Sequence, residues 1–316
     1  MRVAVLDDYQ RVASDLGPWD TLGPDVEVDF FADHVSQDDA LIARLEPYDG
    51  VVAMRERTPL PRSRLARLPK LRLLVTTGMG NAAIDLRAAA ELGIVVSGTR
   101  SLATPTAELT WGLILALTRS ICAEDRALRA GGWQHTIGPE LAGRTLGIVG
   151  LGRLGARVAG IARAFEMDVI AWSQNLRPER AAEVDAEAVT REELFARADV
   201  VTIHLKLSDR TRGLIGASEL ARMRPGAYLV NTSRGPIVDE TALLDALRER
   251  RIAGAALDVF EVEPLPPEHP LRTAPNTVLT PHIGYVTTGT YERFFGDAVE
   301  DIAAFRSGRP VRVLNG

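Results

Sequence analysis

The stretch GIVGLGRLG, residues 147–155, carries the strongest indication of the fold. Its glycines, Gly150, Gly152 and Gly155, follow the pattern G-x-G-x-x-G between an apolar run and the helical pattern RLGARVAGIARAF. A strand, a glycine-rich turn and a helix in this order form the phosphate-binding corner of dinucleotide-binding sheets. The same glycines can also make a tight turn without a ligand, but the flanking strand and helix favour a dinucleotide.

Each glycine of such a turn has a separate task. The first permits the backbone conformation, the second lets the pyrophosphate approach, and the third lets the helix pack on the strand. Phosphates bind to the free amides at a helix N-terminus. We therefore predict cofactor contacts from Gly150, Gly152, Arg153, Leu154 and Gly155.

Outward from this turn, short β-branched runs alternate with helical patterns, which predicts parallel sheets covered by helices. A single long helix is expected from about Pro105 to Ala130, with Thr104 as its N-cap. The expected strands before it are 3–7, 26–31, 50–54, 71–78 and 93–98, and those after it are 145–150, 168–172, 199–205, 227–232, 253–260 and 277–282.

The segment after His282 holds one helical pattern and one short expected strand, RPVRVLN (309–315), too little for a core of its own. We expect it to pack on the first block. The prediction is an α/β fold with two Rossmann-like domains. A dinucleotide-binding domain, residues 101–283, is inserted into a discontinuous flavodoxin-like substrate domain, residues 1–100 plus 284–316.

Bulk composition excludes several classes of function. The 316 residues carry a net charge of −5, which gives no basic surface for nucleic acid or an anionic membrane. The one cysteine, Cys122, excludes a disulfide framework and a thiolate metal cage, and it is expected to be buried. The opening MRVAVLDDYQ lacks a signal-peptide pattern, and no apolar stretch is long enough to span a bilayer. We expect a soluble cytoplasmic protein without a metal site.

The end of the second strand after the turn bears on the choice of cofactor. NAD-binding sheets place an acidic residue there to hold the ribose hydroxyls, whereas this chain has Ser173. No carboxylate repels a 2′-phosphate, and Arg177 and Arg180 follow closely. NADP is therefore slightly favoured over NAD. The alternative is a serine that binds an NAD ribose beside two solvated arginines.

Three further stretches begin where predicted strands end, at the sheet edge where open α/β sheets bind ligands. They bring in Arg234, Glu263 and His282. Histidine can exchange the proton of a hydroxyl near neutral pH, and a carboxylate on its other nitrogen fixes the tautomer. An arginine fork binds a carboxylate and polarises an adjacent carbonyl. Together these residues indicate hydride transfer between a nicotinamide and a 2-hydroxy acid.

Over essentially its whole length the chain resembles the D-isomer-specific 2-hydroxyacid dehydrogenase family. The resemblance rests on seven stretches in the family's order: TTGMGNAAID (76–85), TPTAELT (104–110), GIVGLGRLGARVA (147–159), HLKLSDRTRGLIG (204–216), NTSRGPIVDE (231–240), LDVFEVEPLP (257–266) and TPHIGY (280–285). It implies an NAD(P)-dependent enzyme acting on a small 2-keto or 2-hydroxy acid, a cleft between two domains and a homodimer formed through the inserted domain.

The resemblance also implies residue roles. His282 is the general acid/base, Glu263 its partner, and Arg234 a ligand of the substrate carboxylate. Substrate contacts are implied for Arg55, Gly78, Met79 and Gly80, and a further cofactor contact for Thr106. The resemblance also implies that the Thr232 carbonyl and the Asp258 carboxylate hold the nicotinamide carboxamide, and that His204 and Thr211 flank the adenosine side.

Two departures from the family pattern lie beside these positions. Lys206 stands where proline is common, and Tyr285 stands where a small residue is common, so the pocket floor is expected to differ. Two other functions stay open at this point: a phosphite-type oxidiser on the same scaffold, and a non-catalytic corepressor that senses the nicotinamide. A glutamine in place of Glu263 would indicate a formate dehydrogenase, and this chain lacks it.

Overall fold

A computed structural model describes residues 1–316, which form two units. Unit 1 comprises Met1–Leu102 and Val286–Gly316, and unit 2 comprises Ala103–Tyr285. Each unit is built on an entirely parallel sheet with helices around it, so the predicted α/β fold class is confirmed. No helix is both long enough and apolar enough to cross a membrane.

The sheet of unit 1 has five strands in the order β2-β1-β3-β4-β5. Its inner strands β3 and β4 and the edge strand β5 are buried and largely apolar because both faces of a parallel sheet are covered, whereas the edge strand β2 carries Glu27 and Asp29. The strands are β1 (Arg2–Val5), β2 (Glu27–Phe30), β3 (Gly50–Ala53), β4 (Leu73–Thr76) and β5 (Val95–Gly98), and the helices are α1 (Ala13–Leu16), α2 (Asp38–Leu45), α3 (Arg62–Leu65), α4 (Leu86–Glu91) and α12 (Thr288–Arg306).

The C-terminal segment belongs to unit 1, where α12 buries Phe294, Phe295 and Ile302. The strand expected over 309–315 is wrong, because only an isolated antiparallel bridge joins Ser97 to Val313. Arg312 has a left-handed φ of 50°, which interrupts the extended conformation that a longer ladder requires.

The sheet of unit 2 has seven strands in the order β12-β11-β10-β9-β6-β7-β8. Six were expected; the extra edge strand β8 has two residues, too few for a recognisable pattern. The strands are β6 (Thr145–Val149), β7 (Asp168–Trp172), β8 (Glu187–Ala188), β9 (Val200–Ile203), β10 (Tyr228–Asn231), β11 (Gly254–Leu257) and β12 (Thr277–Leu279), and the helices are α5 (Thr104–Thr118), α6 (Ile121–Arg129), α7 (Arg153–Ala162), α8 (Pro178–Ala182), α9 (Arg191–Arg197), α10 (Ala217–Arg222) and α11 (Glu240–Arg248).

The order of the strands reverses beside β6. The chain runs from β6 outward to β7 and β8, then returns to β9 on the other side of β6. A crevice opens at the carboxyl ends of the strands at such a reversal, and ligands of open α/β sheets bind there. The glycine-rich turn follows β6 and therefore lies at this point of the sheet.

The predicted long helix is two helices, α5 and α6, separated at Arg119–Ser120. Ser120 has a φ of 51°, a left-handed conformation that ends the helical hydrogen bonding. Thr104 is the first residue of α5 rather than its N-cap, which is Ala103.

The two helices differ in burial. Helix α5 buries Trp111 and Ile114, as its apolar sequence predicts, whereas α6 buries no residue. Cys122 lies on α6 and is exposed, so its expected burial is wrong. Burial of Cys122 was expected because α5 and α6 were predicted as one buried helix, and the sequence pattern does not indicate the break between them.

Candidate active site

The turn after β6 is shaped by two glycines that no other residue can replace without strain. Gly150 has a φ of 105°, and a Cβ there would lie 2.8 Å from the carbonyl carbon and oxygen of His204. A Cβ on Gly155 would lie 2.3 Å from the Gly150 oxygen. The turn therefore packs tightly against the end of β9 on one side and against the start of α7 on the other.

Gly152 is different, because a Cβ on it would meet no atom within 4 Å. It is the N-cap of α7, and no side chain caps this helix. The first amides of an α-helix have no partner within the helix, and its dipole favours an anion there. An open space beside uncapped amides fits a pyrophosphate, so the geometry permits the contacts predicted from Gly152, Arg153 and Leu154.

At the end of β7, the Ser173 hydroxyl accepts a hydrogen bond of 2.9 Å from the Leu151 amide. The serine thus braces the glycine-rich turn. Arg177 is exposed directly before α8, whereas Arg180 is bonded to Glu183 and its charge is offset. Of the two arginines considered for a 2′-phosphate, Arg177 is therefore the one whose charge is less neutralised by an acidic side chain.

The loops after β10, β11 and β12 pack against each other. A Cβ on Gly235 would lie 2.0 Å from the carbonyl carbon of Phe260, so these two loops are in direct backbone contact. The Glu263 carboxylate accepts a 2.9 Å hydrogen bond from the Phe260 amide and lies 2.6 Å from Nδ1 of His282. The turn that carries Arg234 therefore adjoins the loop of Glu263, which in turn bonds His282.

Arg234 is half-buried at the end of β10. Its Nη1 donates to the Ser233 carbonyl at 2.7 Å, and its own carbonyl accepts from the Asn231 side chain at 3.0 Å. Asn231 also accepts from the Ser233 amide at 3.0 Å. Asn231 thus holds the turn that presents Arg234, a role that the sequence did not indicate.

His282 lies in a loop, Thr280–Tyr285, held mainly by Asp258. The buried Asp258 carboxylate accepts hydrogen bonds from the Thr280 hydroxyl at 2.6 Å and from the Ile283 and Gly284 amides at 2.8 Å each. Burial raises the pKa of this carboxyl, while the hydrogen bonds and His282 oppose the rise. The predicted nicotinamide contact is therefore first of all an anchor of the His282 loop.

The main chain at His282 has a left-handed φ of 53°, which the three bonds to Asp258 help to maintain. Glu263 occupies Nδ1, so Nε2 is the nitrogen available for proton exchange. The His282 side chain is 16% exposed, enough for a small reactant to reach it. The geometry therefore provides a histidine of fixed orientation with one free nitrogen.

Two threonines support the same region. The Thr106 hydroxyl of α5 donates to the Gly284 carbonyl at 3.0 Å. The Thr232 hydroxyl is 2.9 Å from that of Thr110, also on α5. The hydroxyls of Thr106 and Thr232 thus both bond to protein groups. The Thr232 carbonyl, which the resemblance implies as a cofactor contact, is therefore the group of Thr232 that could hold a carboxamide.

The residues implied on the adenosine side are engaged in internal contacts. Burial lowers the pKa of the His204 imidazole to about 3, so the ring is neutral, and its Nε2 is 3.0 Å from the Thr202 hydroxyl. The Thr211 hydroxyl accepts from the Ser208 amide at 2.8 Å and donates to the Lys206 carbonyl at 2.7 Å. Thr211 therefore shapes the loop after β9.

The implied substrate residues of unit 1 form one cluster after β3 and β4. Arg55 donates from Nη1 to the Thr77 carbonyl at 3.0 Å, and a Cβ on Gly78 would lie 1.8 Å from that same nitrogen. Gly78, with a φ of 95°, thus allows the guanidinium to lie against the loop. Met79 and Gly80 are exposed at its tip.

Comparison with known proteins agrees with this geometry. Residues 111–284 match the NAD binding domain of the D-isomer specific 2-hydroxyacid dehydrogenases. A glyoxylate reductase of Aeropyrum pernix is 45% identical over 262 residues, which cover 79% of this chain and 78% of that protein. A D-3-phosphoglycerate dehydrogenase of Archaeoglobus fulgidus is 37% identical over 86% of this chain, but the chain spans only 52% of that relative.

Among solved structures, a phosphoglycerate oxidoreductase of Vibrio cholerae superimposes with a TM-score of 0.93 at 37% identity, covering 98% of this chain and 99% of that one. The family match extends over the glycine-rich turn and over the loops of Arg234, Glu263 and His282. The chain therefore belongs to the D-isomer specific 2-hydroxyacid dehydrogenase family, whose members are oxidoreductases that act on a CH–OH group with a nicotinamide dinucleotide.

Proposed function

We propose that this chain reduces a small 2-keto acid, of glyoxylate or hydroxypyruvate size, with His282 as the general acid. The observation that carries the proposal is the 2.6 Å contact between Glu263 and Nδ1 of His282, on loops that adjoin the Arg234 turn. Glyoxylate reductases among the relatives support a small substrate.

In this mechanism Arg234 binds the substrate carboxylate and polarises the neighbouring carbonyl. A bound nicotinamide supplies the hydride. His282 donates the proton on Nε2 to the forming alkoxide, and Glu263 stabilises the imidazolium before transfer and fixes its tautomer. Gly150, Gly152 and Gly155, with the first amides of α7, would hold the pyrophosphate of the dinucleotide.

The test is NADH and NADPH oxidation against glyoxylate, hydroxypyruvate, pyruvate and phenylpyruvate. We expect turnover of a small 2-keto acid, with His282→Gln lowering kcat by at least about a hundredfold. His269→Gln is the matched control, because His269 lies 2.9 Å from Glu240 in a second histidine–carboxylate pair of unit 2. Equal activity of the two variants would contradict the proposal.

The same assay separates the alternatives. Cofactor binding without turnover of any 2-keto acid would point to a nicotinamide-sensing protein. Turnover of phosphite, with no reduction of a 2-keto acid, would point to the oxidiser.

We also propose that NADP is slightly favoured over NAD. The support is the absence of a carboxylate at Ser173 and the exposed Arg177, which has no acidic partner of the kind that Arg180 has in Glu183. We expect Arg177→Ala to lower kcat/KM for NADPH about 3- to 30-fold with little change for NADH. Arg180→Ala is the control and is expected to change neither; equal effects on both cofactors would contradict the preference.

We further propose a homodimer formed through α6. This helix and the loop after it expose Ile121 (52%), Leu128 (57%), Trp133 (74%) and Ile137 (100%), beside a groove of about 640 Å³. Contiguous apolar side chains of this size on a surface mark an interaction site. A second copy is the expected occupant because the family resemblance implies a dimer through this domain.

Light scattering after gel filtration tests the dimer. We expect the wild type to be dimeric and Leu128→Glu to shift it toward the monomer. Leu92→Glu is the control, since Leu92 is also exposed, at 42%, but belongs to unit 1, whereas α6 belongs to unit 2. A dimer that both variants retain would rule out the α6 surface.

A further inference from the structure

Tyr285 closes the loop that carries His282. Its ring meets the His282 ring edge to face, with centroids 5.4 Å apart and planes at 78°. The Tyr285 side chain is buried, at 9% exposure. Edge-to-face aromatic pairs at this separation are attractive beyond the burial of their area. The tyrosine is therefore a direct packing partner of His282.

The remaining restraints on His282 act elsewhere. Asp258 holds the backbone through the Ile283 and Gly284 amides, and Glu263 bonds Nδ1. Neither contact covers the imidazole ring itself, and a single hydrogen bond leaves the ring able to rock about it. The Tyr285 ring adds a steric contact to the imidazole ring itself.

We propose that Tyr285 is a positioning residue for His282, holding the imidazole so that Nδ1 stays on Glu263 and Nε2 keeps a fixed direction. This inference rests on the proposed role of His282 as the acid/base. Because the ring makes the contact with His282, phenylalanine preserves this contact, whereas removal of the ring frees the imidazole.

The experiment compares Tyr285→Phe, Tyr285→Leu and Tyr285→Ala with the wild type. We expect Tyr285→Ala to lower kcat about tenfold while KM for the 2-keto acid and Kd for NADH change less than about twofold. Tyr285→Phe retains wild-type values, and Tyr285→Leu, which keeps apolar bulk if the alanine variant folds poorly, falls between them. Phe165→Ala is the matched control, since it removes a stacked aromatic pair with Trp111 elsewhere in unit 2.

A second readout needs no turnover. Nitrogen-15 NMR of the imidazoles, with His282 assigned by His282→Gln, is expected to show exchange broadening of the His282 signals in Tyr285→Ala but not in Tyr285→Phe or Phe165→Ala. If the wild type reduces no 2-keto acid, the proposed function fails while this ring contact can still be measured.

Wild-type kcat and unbroadened His282 signals in Tyr285→Ala would overturn the inference. So would equal losses in Tyr285→Phe and Tyr285→Ala, because the hydroxyl rather than the ring would then be responsible.

Discussion

Replacing Gly152 by alanine separates cofactor binding from folding at the glycine-rich turn. The position has open space around its Cβ direction, whereas Gly150 has a φ of 105° and backbone atoms 2.8 Å away. If the open space receives the pyrophosphate, a methyl group on Gly152 obstructs the ligand without contacting other protein atoms. A methyl group on Gly150 strains the protein itself.

The structure sets the expected magnitudes. At Gly152 the folding cost is that of a poorer N-cap, below about 1 kcal/mol. Intrusion of the methyl group on the ligand costs about 1–3 kcal/mol, which raises Kd about 5- to 150-fold. At Gly150 the left-handed backbone and the contact with His204 together destabilise unit 2 by about 2–5 kcal/mol.

Fluorescence titration with NADH and NADPH measures Kd, and calorimetry measures Tm. Gly152→Ala is expected to weaken binding at a nearly unchanged Tm, and Gly150→Ala to lower Tm by several degrees. Gly160→Ala is the control on α7, because its Cβ also meets no atom within 4 Å but lies inside the helix. Wild-type affinity of Gly152→Ala would refute the assignment of this turn to the pyrophosphate.

Three further predictions concern single side chains. Asp258→Asn places an amide against three hydrogen-bond donors, so we expect kcat to fall about 10- to 150-fold and Tm to decrease. Steady-state kinetics and calorimetry measure the two effects, and an unchanged kcat would contradict the anchoring role of Asp258. Arg234→Lys loses the planar guanidinium fork, so we expect kcat/KM for the 2-keto acid to fall about 10- to 150-fold while Kd for NADH stays unchanged. A smaller change in kcat/KM for the acid than in Kd for NADH would argue against Arg234 as the carboxylate ligand. Burial raises the pKa of Asp301 to about 7, above the ordinary value of about 4 for an aspartate, so its ionised form is disfavoured in the folded protein and stability is lost as pH rises from about 4 through 7. In Asp301→Asn the decline of Tm between pH 5 and 8 should flatten, and an unaltered decline would show that another group causes it.

Strands and the glycine-rich turn could be predicted because their signals are local. Short segments of consecutive residues contain these signals: the apolar runs at β6 and β10 and the spacing of Gly150, Gly152 and Gly155. The parallel arrangement then follows from the alternation of strands and helices. Because Arg234, Glu263 and His282 come after predicted strands, they could be expected at the carboxyl edge of the sheet.

Other features had no local signal. The helical pattern continues from α5 into α6 without a glycine or proline at Ser120, so the break and the exposure of Cys122 were missed. The edge strand β8 is too short to show a period. The end of the chain near Val313 has a strand-like composition but forms only one bridge.

The class of fold, the glycine-rich turn and the residue types available for chemistry could be read from the amino-acid sequence, because periodicity and turn formation depend on neighbours along the chain. The tertiary structure alone decided that Asp258 anchors the His282 loop and that Tyr285 packs on the imidazole. The first of these contacts joins loops after different strands, and the second depends on side-chain rotamers, so neither has a period or spacing that a sequence can display.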